Sequence, residues 1–200
     1  MLLTTRNRRI CVFASSSNFL GEQFYTDAKK SGEILAQNGF DIVYGGSALG
    51  MMYACAGEFK KYGQKIYGVM PEKLNDFGVS TKICDEFFLT KTMRERKAKM
   101  DELSDGVLAL AGGFGTLEEL SEMIVQKQLG YNNKPIVLLN TDGFYNTLLK
   151  FFDELIMKKF ANENVRGLYY VAETPEQALE YFIKYDYSLK ERTKEEIYNR

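Results

Sequence analysis

Gly106-Val-Leu-Ala-Leu-Ala111 runs directly into Gly112-Gly113-Phe114-Gly115-Thr116. An unbroken apolar run of this kind reads as a strand buried on both faces. Three glycines and a hydroxyl at its exit, with helical spacing from Thr116 to Gln128, read as a strand–loop–helix junction. Glycines let the main chain approach a ligand closely, and a helix start offers N–H groups and partial positive charge. Such a junction favours a phosphate.

The same alternation extends in both directions. Ile10 to Ala14 is a short apolar run ending in Ser15-Ser16-Ser17. Phe24, Ala28, Ser31 and Leu35 recur at helical spacing, and Gly39 is the stop. Asp41 to Tyr44 is a second strand with Gly45-Gly46 at its exit. Met51, Cys55, Phe59 and Tyr62 mark a helix closed by Gly63, and Lys65 to Met70 is a third strand stopped by Pro71. Residues 71–82 read as a loop, Cys84 to Leu89 as a strand, and Thr92 to Ser104 as a helix. Beyond the junction, Pro135 to Leu139 is a strand, Phe144 to Lys158 a helix, Leu168 to Ala172 a weaker strand, and a last helix starts at Pro175. From Asp186 the chain turns polar and charge-balanced, which reads as exposed helix or disorder. Alternating strands and helices predict an α/β fold: a doubly wound, mostly parallel sheet of Rossmann-like type, flanked by helices on both faces. With no repeat and no linker, residues 1–200 form one expected domain, its core at about residues 9–184.

Composition narrows the chemistry. The 200 residues include no histidine, so a Ser-His-Asp or Cys-His triad and a His-ligated metal are excluded. Acid–base work falls to Asp, Glu, Lys, Tyr or Cys. The three cysteines, Cys11, Cys55 and Cys84, lack CxxC spacing, so neither a zinc cluster nor a disulfide framework is expected. They read as buried thiols of a protein in the reducing cytoplasm. Lys and Arg number 26 against 27 Asp and Glu, a net charge of −1, which argues against nucleic acid or a membrane surface as partner. No stretch of about 20 apolar residues is present to span a bilayer.

Three side-chain groups stand out. Gly45-Gly46-Ser47-Ala48-Leu49-Gly50 falls short of a dinucleotide fingerprint because Ser47 occupies the middle glycine position. It is either a tight turn or an anion site. Thr116-x-x-Glu119 matches a capping box, in which Glu119 bonds back to the main chain of Thr116. Glu119 also lies in the first helical turn, facing the mouth where a phosphate ligand would bind. Its carboxylate makes sense there if positive charge develops during a reaction. Arg96 falls inside the apolar stripe of Met93, Met100 and Leu103. An inward-facing Arg needs a partner, structural or functional. Lys97 lies at the edge of that stripe, whereas Arg94, Glu95 and Lys99 point elsewhere.

Met93-Arg-Glu-Arg96-Lys97-Ala-Lys-Met100, followed by Ala111-Gly-Gly-Phe-Gly-Thr-Leu-Glu-Glu119, resembles the paired motifs of the LOG ("Lonely guy") family. These are cytokinin riboside 5′-monophosphate phosphoribohydrolases, also labelled lysine decarboxylases. The RK-A-x-M and PGGxGTxxE motifs match at Arg96, Lys97, Ala98, Met100, Gly112, Gly113, Gly115, Thr116 and Glu119. The resemblance spans about residues 9–184 and includes Ser15-Ser16, Tyr44-Gly45-Gly46 and Gly68-Val69-Met70-Pro71. Ala111 replaces the motif's proline, Lys99 stands where the family usually has Glu, and Gly78 falls where many members carry a substrate-contacting Glu.

The resemblance implies hydrolysis of the N-glycosidic bond of a nucleoside 5′-monophosphate, with an adenine-type base, plain or N6-modified. Arg96 and Glu119 would be the catalytic pair. Ser15, Gly45, Gly46, Lys97, Gly112, Gly113, Phe114, Gly115 and Thr116 would bind substrate and its phosphate. It implies no cofactor, no metal, and a homodimer. A non-catalytic nucleotide or molybdenum-cofactor carrier of the same fold is the competing reading. Lysine decarboxylation is a third reading, and the residues speak against it, since that chemistry uses pyridoxal phosphate on a lysine and no lysine stands out in that role.

Overall fold

A computed structural model describes residues 7–187. Seven strands form one sheet: β1 (Arg9–Phe13), β2 (Asp41–Tyr44), β3 (Ile66–Pro71), β4 (Glu86–Thr90), β5 (Gly106–Ala109), β6 (Ile136–Leu139) and β7 (Tyr170–Ala172). Their order is β4-β3-β2-β1-β5-β6-β7, and each neighbouring pair is parallel. The interleaved helices are α1 (Glu22–Gln37), α2 (Gly50–Lys61), α3 (Glu72–Asn75), α4 (Met93–Leu103), α5 (Phe114–Gln128), α6 (Asn146–Met157) and α7 (Pro175–Lys184).

The central strands are apolar on both sides because both sides are covered. Ile10, Val12, Ile42, Leu108 and Val137 pack on one face with Leu35 of α1, Phe59 of α2 and Phe182 of α7. Cys11, Phe13, Val43, Val107 and Ile136 pack on the other with Met100 of α4 and Leu120 of α5. Fully burying one such side chain contributes roughly 1.5–3 kcal/mol, so the doubled core fixes the sheet.

The chain builds β1 to β4 outward on one side, then crosses back to place β5 on the other side of β1. Ile10 pairs with Gly106 and Phe13 with Ala109 across that join. This is the topological switch point, and the loops leaving β1 and β5 diverge there to open a crevice. Those loops are Ser15–Ser17 and Gly112–Gly113.

Several expected boundaries move. The loop after Pro71 contains the short helix α3, and β4 lies two residues later than expected at its start. β5 ends at Ala109, because beyond it Ser15 N–H bonds to the Ala111 carbonyl (3.1 Å) outside the ladder. Leu168 belongs to a 3-10 turn, Glu163–Leu168, and β7 is shortened to Tyr170–Ala172. Cys11 and Cys55 are buried, but Cys84 is only half-buried, since the loop carrying it runs along the sheet edge. Past Tyr187, the polar tail lies outside the described residues.

Candidate active site

The N-cap of α5 is Gly113, so the helix starts two residues before Thr116. The first bond within it is Leu117 N–H to the Gly113 carbonyl, 3.0 Å. The N–H groups of Phe114, Gly115 and Thr116 therefore precede the ladder and point out of the helix start. This overturns the capping-box reading. Thr116 is the third helical residue and buried, and the Glu119 carboxylate is engaged elsewhere.

Glu119 is held by Arg96. Arg96 Nη1 donates to Glu119 Oε1 at 2.5 Å, and Arg96 Nε donates to the Val69 carbonyl at 3.1 Å. The two side chains are about one-tenth exposed. The contact unites three elements: Val69 lies within β3, Arg96 rides on α4, and Glu119 lies one turn into α5. Burial pushes the Glu119 carboxyl above the ordinary carboxylate range, and the Arg96 guanidinium offsets this only in part.

Gly45 makes the arrangement possible. A Cβ on Gly45 would stand 2.6 Å from Arg96 Nη2, so only glycine lets the guanidinium pass across the end of β2. Gly112 does the same for the loop that enters α5, where a Cβ would meet Thr116 Oγ1 at 2.1 Å. The buried Tyr145 hydroxyl supports that loop by donating to the Leu110 carbonyl, 2.7 Å.

The other glycine-rich helix start is closed. Gly50 N–H donates to Asn18 Oδ1 (2.9 Å) and Met51 N–H to the Ser15 carbonyl (3.0 Å). The loop after β1 thus caps α2, and Leu49 N–H is taken by Ser47 Oγ (3.2 Å). Of the two anion-site candidates, the structure leaves only the α5 start with its donors facing the crevice. Gly45–Gly50 is a capped turn, with Gly46 and Gly50 at positive φ.

These groups open on a cavity of about 530 Å³, large enough for a nucleotide. Ser15, Ser16, Ser17, Gly113, Gly115 and Thr116 line its polar side, with Arg96 and Glu119 at its floor. Of the expected binding residues, Gly45 also lines it, whereas Gly46, Gly112 and Phe114 do not. Phe114 points to solvent and is 92% exposed. Lys97 does not reach the cavity: its Nζ pairs with Glu118 and Glu122 on α5. Met93, placed by periodicity in the core stripe of α4, is 47% exposed and lines the cavity mouth. The remaining wall is mostly apolar, formed by Ala14, Leu49, Met52, Met70, Leu74, Phe77 and Val79, with Ser47 among them. The sequence offered no sign of the Val69 carbonyl's role, because a main-chain acceptor has no residue signature. Nor did it mark Phe77, which lies in an irregular segment.

A pyridoxal-dependent decarboxylase needs a lysine able to form a Schiff base in the cavity. None of the residues lining this one is lysine. Among the described residues, no three Cys, Asp or Glu side chains are grouped to hold a metal, and no helix is long and apolar enough to cross a membrane.

Comparisons with known proteins give the family and the fold. The family model described as "Possible lysine decarboxylase" matches residues 51–182. The chain is 38% identical over 179 residues to a rice protein (Oryza sativa subsp. japonica) named "Probable cytokinin riboside 5′-monophosphate phosphoribohydrolase LOGL6", covering 90% of this chain and 72% of the relative. It is 35% identical to the cytokinin riboside 5′-monophosphate phosphoribohydrolase LOG2 of Arabidopsis thaliana, covering 90% and 85%. Among solved structures, the molybdenum-cofactor carrier protein of Chlamydomonas reinhardtii superposes with a TM-score of 0.68 at 24% identity, covering 88% and 94%, and so shares the fold. With a family match across most of its core and these identities over most of both sequences, the chain belongs to the LOG family.

Proposed function

We propose that this chain hydrolyses the N-glycosidic bond of a purine nucleoside 5′-monophosphate, releasing the free base and ribose 5-phosphate. The observation that carries the reading is the buried Arg96–Glu119 pair beside the open N-terminus of α5, in one cavity. The donors at the helix start bind the 5′-phosphate, with the Ser15–Ser17 loop across from them. The ribose then lies over Glu119. Departure of the base leaves oxocarbenium character on C1′, which the carboxylate stabilises. Glu119 also orients and deprotonates the water that adds to C1′. The base leaves with the electron pair of the C–N bond and takes up a proton. Arg96 holds the carboxylate in place and contacts the substrate.

Gly45, Gly46 and Gly112 shape the pocket, while Lys97 serves from outside it by tying α4 to α5. The base is of adenine type, plain or with the N6 substituent of a cytokinin, as the relatives' names support. The same reading takes the chain as one nucleotide-binding domain, working in the cytoplasm as a homodimer, with no nucleic acid or membrane partner. Apolar side chains left exposed at Phe151, Met157 and Phe160 support self-association.

The test is chromatography of base release from AMP and N6-isopentenyl-AMP, with the matching nucleosides as controls. Release from monophosphates alone is expected. No release from either, with AMP still raising the melting temperature, would replace the enzyme by a nucleotide carrier.

A further inference from the structure

Strand order spreads the cavity lining between two ends. At the exits of β1 and β5 lie the serine loop and the α5 donors, and across the sheet, beyond the exit of β3, lie Leu74, Phe77 and Val79. The Arg96–Glu119 pair lies between them, with Met52 and Met70 beside Arg96. A phosphate at the first end and C1′ over Glu119 direct the base to the second.

That second end is shaped by the segment between β3 and β4. It is pinned on both sides of its tip. Pro71 ends β3 at its start. At its return, Ala48 N–H bonds to the Val79 carbonyl (2.8 Å) and Thr81 N–H to the Gly46 carbonyl (3.0 Å). Between these anchors, α3 turns the chain back, with Phe77 N–H bonded to the Leu74 carbonyl (3.2 Å) and Gly78 at φ +70°. The tip therefore presents Leu74, Phe77 and Val79 to the cavity as a set. Phe77 is 66% exposed. A phenyl ring left in water on a pinned loop, at the apolar end of a polar cavity, has a face ready for a flat partner.

We infer that Phe77 is the base-stacking residue of this site and sets its preference for an aromatic base bounded by hydrocarbon. The inference rests on the phosphoribohydrolase reading, which supplies the orientation of the nucleotide. Stacking needs only a π-face, so Phe77 contributes affinity for a purine without reading its hydrogen-bonding edge. Met52, Met70 and Met93, which line the same cavity, adapt to a substituent on that edge.

The experiment compares wild type, Phe77→Ala and Phe77→Tyr. It measures the dissociation constant of ribose 5-phosphate and the KM and kcat for base release from AMP and N6-isopentenyl-AMP. Phe77→Ala should raise the KM for both nucleotides by about tenfold, the scale of one lost base–aromatic stack. It should leave ribose 5-phosphate binding within about twofold, since that ligand has no base to stack. Phe77→Tyr should restore the KM. An unchanged KM in Phe77→Ala, or an equal loss for ribose 5-phosphate, would overturn the assignment and make Phe77 a scaffold of the loop. Wild type that releases no base from any monophosphate would remove the hydrolase reading and this assignment with it. That failure is read from wild type alone, apart from the variant ratios.

Discussion

Gly45 lies so close to Arg96 that a Cβ on it would stand 2.6 Å from Nη2 of the guanidinium. The chain just past β2 thus shapes the Arg96–Glu119 pair although it contributes no side chain there. Gly45→Ala should push Arg96 off Glu119. Misplacing a reacting group by about 1 Å can lower the rate roughly a hundredfold, and a loss of that order in kcat is expected. Steady-state base release with AMP, beside a thermal melt showing a folded protein, checks it. Retained kcat would mean that Arg96 need not sit where it does.

Glu119→Gln keeps the shape of the side chain and its acceptor oxygen toward Arg96, but removes the negative charge. The proposed role predicts a fall in kcat on the order of 10²–10⁴, the usual worth of a general base, with KM little changed. Arg96→Ala should also abolish measurable turnover. A Glu119→Gln protein with near-normal kcat would reduce the carboxylate to a structural partner of Arg96.

The pH profile carries a sign. Burial raises the Glu119 carboxyl and Arg96 draws it part of the way back. The acid limb of kcat should then lie above the ordinary carboxylate range, because the working form is ionised. Arg96→Lys should keep a cation nearby, and Arg96→Met should move the limb further up in whatever activity remains. Stability follows the opposite direction. A raised carboxyl favours folding in its neutral form, a contribution present below the ordinary pKa and lost as pH rises through the raised one. Thermal melts at acid and neutral pH should therefore differ less in Glu119→Gln than in wild type.

Gly112→Ala tests the phosphate end. A Cβ there would meet Thr116 Oγ1 at 2.1 Å and Thr116 Cβ at 2.6 Å, and rotating the Thr116 side chain cannot move its Cβ. The loop must shift, and the α5 donors with it. Loss of one hydrogen bond to a charged group corresponds to roughly a 10- to 100-fold weakening. The KM for AMP should rise on that scale, as should the dissociation constant of ribose 5-phosphate, while adenosine binding stays the same. Equal weakening of adenosine would place the phosphate elsewhere.

Much of this was legible in the residues. Apolar runs at 10–14, 41–44, 106–111 and 135–139 can be buried only if both faces of a sheet are covered, so the parallel architecture follows from local composition. The Gly112–Thr116 junction marked a phosphate-type helix start for the same local reason. Arg96 was singled out because helical spacing put a charge on an inward face. Its partner was named only through the family resemblance, and spacing gave no sign of it: Arg96 and Glu119 are 23 residues apart and meet only because α4 and α5 lie on the same face of the sheet.

The remaining distinctions belong to the tertiary structure. Gly45–Gly50 and Gly112–Thr116 look alike as sequence. The first is closed because the loop after β1 brings Ser15 and Asn18 onto the start of α2. Thr116-x-x-Glu119 matches a capping pattern, but the N-cap is Gly113, and a buried guanidinium outcompetes the main chain for the carboxylate. Met93 leaves the core stripe, and Lys97 finds Glu118 and Glu122 instead of the cavity. Periodicity reports which way a side chain points along its own helix. It cannot report what a neighbouring element, distant in sequence, places opposite it. The sequence by itself determined the sheet, its layers and the chemistry within reach. The packing of loops and helices over the switch point decided which of those groups share one cavity.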